Sequence, residues 1–252
     1  LRKIFINAFS NSNTSPETIA SLLNKCAFRP CSKKTSADFS LWQKTRNIDK
    51  IIHFTRLENV PWIIRYGLIP REYLELNLLK MVIAPYFSDS KRLDQKSEFN
   101  CTSLTFPNYK MFYQKRRSSN HSWAVIVIDS KVLEKYFFSF TKDNLAGANA
   151  NVFYDCDGAE QLFERPQLRR QLSLNEAQPT NPQSEALCDS IIHPDFILDV
   201  QVDSQKSFNW LSKHAIKSKV SLEYFSPRSD FQYWKASKGS ISTPAGLRSA
   251  QP

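Results

Sequence analysis

Apolar residues fall in short blocks along the chain, and few of the blocks share a period. Ile51 to Thr55 and Trp123 to Ile128 read as strands; the second is the plainest, too short and too β-branched for a helix. Leu57 to Tyr66 reads as a helix with Val60, Ile63 and Ile64 on one face. Gly67 then stands at the C-cap position, and Leu68-Ile69-Pro70 leads out in extended form. A helix is expected over 72–81. Met81 to Phe87 is expected as an edge strand, because Pro85 cannot donate to a ladder. Asp129 to Leu133 reads as a turn into a helical turn. Strands follow at Tyr136 to Phe140, Glu185 to Cys188 and within Ile191 to Val202. A long polar loop lies between, roughly 155–182, with a short helix near Pro166 to Leu172. Short strands and helices without regular alternation indicate an α+β fold rather than a doubly wound α/β one.

Four segments are expected. Residues 1–47 read as a polar accessory leader, with a helix starting at Thr14-Ser15-Pro16-Glu17 and fading near Cys26, before a break at Pro30. The main domain spans 48–202. A C-terminal extension, 203–235, packs on it, and 236–252, rich in Ser, Gly, Pro and Ala, reads as a disordered tail. The chain opens on Leu1, so an initiating methionine is expected upstream; its first apolar stretch is too short for a signal peptide.

Charge narrows the classes. The 252 residues carry a formal net charge of +10, which points to a polyanionic partner, nucleic acid before membrane. With only 5 glycines, the chain has neither a dinucleotide-binding nor a P-loop signature. The 5 cysteines include no C-x-x-C pair, and the 4 histidines are scattered. Reduced thiols in a cytoplasmic protein and no bound metal are expected. No apolar run reaches transmembrane length, so no membrane association is expected.

Two features bear on chemistry directly. In Ser103 to Arg117, aromatic residues interleave with cations, which suits single-stranded nucleic acid, rings stacking on bases while Lys and Arg meet phosphates. The same segment also reads as an amphipathic helix with Tyr109, Phe112 and Tyr113 in the core. Further on, Gln183 and Glu185 stand where the long loop meets a strand. On an extended chain residues two apart share a face, so Gln183 would lie beside Glu185. A carboxylate there suits cleavage of a nicotinamide–ribose bond, which passes through an oxocarbenium-like state.

The run from His53-Phe54-Thr55 through Asn59 to Gly67-Leu68 resembles the nicotinamide-binding opening of the DarT family of toxin–antitoxin ADP-ribosyltransferases. The phrase Phe106-Pro107-Asn108-Tyr109-Lys110-Met111-Phe112-Tyr113 is similar to a segment in one branch of that family, and the Gln-x-Glu placement agrees. The resemblance spans residues 50–202. It implies the ADP-ribosyltransferase fold, two small packed β-sheets around an NAD cleft with flanking helices. It implies NAD as substrate and transfer of one ADP-ribose to a guanine or thymine base of single-stranded DNA, with a cognate antitoxin as partner. By the same resemblance, Glu185 and Arg92 are the catalytic candidates. His53, Thr55, Asn59, Gly67, Leu68, Tyr86 and Arg92 are the NAD-binding candidates. Tyr109, Lys110, Tyr113, Lys115, Arg116, Arg165, Arg169 and Gln183 are the nucleic-acid candidates. Three alternatives stay open: RNA as the target, a catalytically inactive nucleic-acid-binding module, and a protein-directed ADP-ribosyltransferase.

Overall fold

The computed structural model describes residues 30–75, 85–87, 97–146 and 151–236. Among the described residues, eight strands are linked in the order β5-β4-β6-β2-β1-β3-β7-β8. They are β1 (Lys50–Arg56), β2 (Asn100–Leu104), β3 (Trp123–Asp129), β4 (Phe138–Thr141), β5 (Val152–Tyr154), β6 (Glu185–Cys188), β7 (Ile197–Val202) and β8 (Lys219–Val220). All neighbours are antiparallel except β7 and β8. The class is α+β, and the sheet has two unequal halves. β1 pairs with β3 from Lys50↔Asp129 to Arg56↔Trp123, but with β2 only at Ile51↔Leu104 and Ile52↔Ser103. Beyond Ile52 the two strands part, so the halves meet at a narrow seam and open into a wedge between β1 and β2.

The unbroken apolar run in β3 reflects burial on both faces. Ala124, Ile126 and Ile128 join one core cluster with Ile51, Val60, Val200 and Phe140. Val125 and Val127 join another with Ile52, Phe112, Tyr224 and Phe225. Period-2 alternation thus distributes one strand over two cores. The second core is closed by α4 (Tyr109–Arg117) and by residues from the C-terminal part of the chain.

Residues 33–46, read from sequence as part of a polar leader, form helix α1 (Lys33–Arg46). Ser32 Oγ caps it by accepting from Thr35 N at 3.1 Å, and Asn47 ends it in the left-handed conformation. Phe39 is its buried anchor, tilted against Phe140, while Gln43 Nε2 donates to Ser130 O at 2.5 Å. α2 (Val60–Tyr66) ends at Gly67, whose φ of 86° suits glycine. A Cβ there would stand 2.2 Å from Ile192 O, at the Leu68↔Ile192 bridge.

Other expectations change. Besides the short helix expected near Pro166 to Leu172, which is α7 (Pro166–Gln171), the loop expected at 155–182 contains α6 (Asp155–Glu160) and a 3-10 turn at Gln161–Phe163; α5 (Val132–Lys135) is the helical turn expected before it. In 191–202 only Ile197–Val202 is strand, because Pro194–Phe196 forms a 3-10 turn. α3 (Arg71–Leu74) is the described part of the expected 72–81 helix. Residues 85–87 of the expected edge strand are not in a strand, and 81–84 lie outside the described residues. The helix expected from Thr14 and the tail from 237 also lie outside them. After β7 come α8 (Gln205–Lys213) and α9 (Phe231–Ala236). Among the described residues, no helix is long and apolar enough to cross a membrane.

Candidate active site

The wedge between β1 and β2 opens a cleft of about 390 Å³. β1 supplies His53 and Thr55, β2 supplies Asn100 to Ser103, and Glu185 stands at the start of β6, the other neighbour of β2. The cleft is therefore a product of topology. One strand pair separates early, and a third strand brings a carboxylate to the opening.

His53 spans the gap, with Nδ1 2.9 Å from Cys101 O. A carbonyl only accepts, so Nδ1 carries a proton. Asn59 organises the next layer. Its Nδ2 donates to Thr55 Oγ1 at 3.0 Å and to Tyr86 O at 2.9 Å, while its Oδ1 accepts from Tyr86 N at 2.9 Å. The Arg56 guanidinium lies over the Tyr86 ring, 5.1 Å from its centroid. Asn100 Nδ2 donates to Leu68 O and Ser190 O, both at 2.9 Å, tying the end of the His53–Leu68 motif to the loop after β6.

Glu185 is 4 % exposed, and its Oε2 accepts from Leu145 N at 2.9 Å. The approach to it is stiffened from outside. Asn181 Nδ2 donates to Asp143 Oδ1 at 2.5 Å, and Asn181 Oδ1 accepts from Gln183 N at 2.9 Å. Arg228 Nη1 donates to Pro179 O at 2.8 Å, and its Nη2 donates to Thr180 O at 3.3 Å. The guanidinium itself is held in place by Asp230, the two pairing at 2.5 Å with almost no solvent exposure.

The structure brings together His53, Thr55, Asn59, Gly67, Leu68, Tyr86 and Glu185 on the cleft wall, with Lys115 of α4. Arg92 lies outside the described residues. Tyr113 is exposed, Lys110 Nζ lies 5.8 Å from the Trp234 ring centroid, and Arg165 is exposed with a φ of 68°.

Three nucleic-acid candidates are engaged by contacts within the chain. Tyr109 is buried, packs against Phe106 and Phe231, and donates to Asp230 Oδ1 at 3.3 Å. Burial, with Asp230 alongside, pushes its phenol far above the usual tyrosine range, so it stays a neutral internal donor. Arg116 is held by Asp203 and Phe225 O, each at 2.7 Å. Arg169 is buried over Phe163 and donates to Gln178 O and Asn175 O. Gln183 sits in the turn before β6, so strand alternation does not set its direction relative to Glu185.

Sequence reasoning missed Asn100, Asn108 and Trp123, which also line the cleft. Asn108 had a local signal, a short polar side chain just before the aromatic-rich helix, and Asn100 had none. Trp123 had none, since it opened an apolar strand. Among the described residues, no group of three His, Cys, Asp or Glu side chains is placed to hold a metal ion. The described residues do fit a dinucleotide carrying a planar amide: an apolar cleft, imidazole and amide groups on its walls, and one buried carboxylate at its end.

Comparison with known proteins gives the same direction. A family described as "ssDNA thymidine ADP-ribosyltransferase, DarT" matches residues 52–233, well past residue 202, where the sequence resemblance was read to end. No curated protein matches the chain. Solved structures similar to it include Thermus sp. 2.9 DarT in complex with NAD⁺, at 14 % identity and a TM-score of 0.47, covering 68 % of this chain and 93 % of that one. The same protein in complex with ADP-ribosylated ssDNA is 15 % identical with a TM-score of 0.47, covering 69 % and 93 %. Thermosipho africanus DarTG in complex with ADP-ribose is 14 % identical with a TM-score of 0.44, covering 68 % and 49 %.

Proposed function

Because the chain belongs to the DarT family of NAD-dependent ADP-ribosyltransferases of single-stranded DNA, we propose that it moves one ADP-ribose from NAD⁺ to a guanine or thymine base of that DNA, releasing nicotinamide. The observation that carries this reading is the meeting of the His53–Leu68 motif with the buried Glu185 in one cleft. What NAD⁺ supplies is a labile nicotinamide–ribose bond.

The roles divide by chemistry. His53 and Thr55 hold the nicotinamide end, supported by the Asn59 bridge to Tyr86. Gly67 and Leu68 bring backbone close to the cleft, where a side chain at 67 would collide with Ile192. Glu185 holds the ribose hydroxyl and faces the positive charge that develops as the bond stretches. Its bond from Leu145 N keeps one oxygen fixed, so the carboxylate is oriented before the reaction. Arg92 is retained as a catalytic and NAD-binding residue on the family resemblance alone.

Lys115 at the cleft, with Lys110, Tyr113, Arg165 and Gln183, is proposed to guide the strand. A single strand is the more accessible substrate, since a duplex hides the base by stacking and pairing. The same reading makes the chain a cytoplasmic toxin with a cognate antitoxin. The experiment is incubation of the protein with NAD⁺ and mixed-sequence single-stranded DNA or RNA, followed by mass spectrometry of each polymer. One ADP-ribose added to DNA, at guanine or thymine, is the expected product. Addition to RNA alone, or to neither, overturns the proposal.

A further inference from the structure

Among the described residues, three buried donors on the cleft wall have no hydrogen-bond partner: Arg56 Nε, which stands 3.6 Å from Glu58 Oε2, and the neutral donors Asn108 Nδ2 and Trp123 Nε1. Asn108 is 1 % exposed and Trp123 4 %. Native proteins satisfy most buried N–H groups, and one left unmade carries the full desolvation penalty of the group. Two such neutral donors on one functional cleft require an explanation.

Neither donor is free to turn away. Asn108 Oδ1 accepts from Met111 N at 3.1 Å and so caps α4. Flipping the amide would forfeit that cap, so Nδ2 is the end left unpaired. Trp123 is fixed by its neighbours, with ring centroids 5.8 Å from Phe112 and 6.2 Å from Phe54. The indole N–H is a donor only. Phe112 N donates to Asn108 O at 2.9 Å, and the Phe112 ring packs edge-on to Trp123, so the first turn of α4 links the two positions. Phe54, Arg56, Met111 and Lys115 also line the cleft, giving aromatic surface and cationic side chains.

From this geometry we infer that Asn108 and Trp123 form a subsite that recognises an acceptor oxygen of a bound nucleotide, a base carbonyl or a phosphate. The proposal rests on the reading of this cleft as a nucleotide site. The oxygen comes either from NAD⁺ or from the target strand, and the two are separable by experiment.

The test uses Asn108→Asp and Trp123→Phe. Aspartate keeps the cap and removes the amide donor; phenylalanine keeps a packed ring and removes the indole N–H. Binding of NAD⁺ alone and of a single-stranded oligonucleotide alone is measured by calorimetry, beside thermal unfolding. Both variants are expected to stay folded at the assay temperature and to melt below the wild type, since aspartate places a carboxylate in a buried position and phenylalanine leaves the indole's space unfilled. Both are expected to lose about tenfold in affinity for one of the probes, and that probe identifies the source of the oxygen. Wild-type affinity for both probes in both variants overturns the inference. So does weakening in Asn108→Asp alone, which the new charge would explain by itself. Turnover of the wild type is followed in parallel. Intact probe binding without ADP-ribose transfer would defeat the proposed function and leave this subsite standing. Failure of the wild type to bind either probe would defeat both.

Discussion

The side chain of Asn59 holds the backbone of Tyr86 at both polar ends, Oδ1 accepting from its N–H and Nδ2 donating to its carbonyl, each at 2.9 Å. The same Nδ2 reaches Thr55 Oγ1, so one amide joins strand β1 to the Tyr86 segment of the cleft wall. Asn59→Leu is expected to release that segment. With the cleft as the NAD⁺ site, KM for NAD⁺ should rise about tenfold, since two or three hydrogen bonds are lost at the wall. Steady-state kinetics at saturating DNA would show it, and an unchanged KM would remove Asn59 from the account.

Gly67 is the second structural commitment. Its φ of 86°, and the 2.2 Å that would separate a Cβ at this position from Ile192 O, leave no room for a side chain. Gly67→Ala is expected to destabilise the protein by about 2 kcal/mol or more, combining backbone strain with a clash against backbone. Denaturant unfolding measures this directly. A loss below a few tenths of a kcal/mol would mean that the Leu68↔Ile192 bridge yields easily.

Arg228 tests the wall that precedes Glu185. It pairs with Asp230 in a fully buried setting and donates to Pro179 O and Thr180 O. Asp230 also accepts from Trp234 Nε1 at 2.8 Å. Arg228→Met leaves Asp230 buried with its main charge partner gone, at a cost of about 3 kcal/mol. Chemical denaturation of the variant against the wild type would read it. Replacing Arg228 and Asp230 together is expected to cost less than Arg228→Met alone.

Glu160 gives a pH dependence. Burial raises its carboxyl, but hydrogen bonds from Arg46 and Trp42 outweigh that and hold it below the usual range. A depressed folded-state value stabilises the fold above the unfolded carboxylate's titration, and that contribution is lost as pH falls through the folded value. Glu160→Gln should therefore lower the melting temperature at pH 7, and the gap to wild type should close as the solution is acidified through and below the usual carboxylate range. The group is partly exposed, so the effect is modest and weakens with salt. A gap that widened on acidification would reverse the sign.

The strands that carry their own apolar signal were legible in the sequence. Trp123 to Ile128 could hardly be anything else, and Ile51 to Thr55 with the glycine after Tyr66 announced a strand, a helix and a cap. β2 was not legible, because Asn100-Cys101-Thr102-Ser103-Leu104 has almost no apolar pattern and is a strand by virtue of its partners β1 and β6. α1 was hidden for a related reason. Its buried contacts come mainly from Phe39, Trp42 and Gln43, and Leu41 is exposed. The cleft residues His53, Thr55, Asn59 and Glu185 came from motif order and from the need for a carboxylate. Tyr109 and Arg116 stood out through aromatic–cation interleaving, which serves a helix packed on a core as well as it serves a nucleic acid, and Arg169 stood out through its charge in the long loop. Only their three-dimensional partners, Asp230, Asp203 and the carbonyls of Asn175 and Gln178, separate the two uses.

The most direct measurement compares wild type with Glu185→Gln, which keeps the side chain's shape and its bond from Leu145 N while removing the charge. Each is given NAD⁺ and single-stranded DNA, and the DNA is weighed by mass spectrometry, with thermal unfolding as the check on folding. The account predicts one ADP-ribose per modified strand with wild type, and a rate about 100-fold lower or less with a folded Glu185→Gln, on the order of losing one electrostatic stabiliser of the transition state. A folded variant that modifies DNA at the wild-type rate would contradict it.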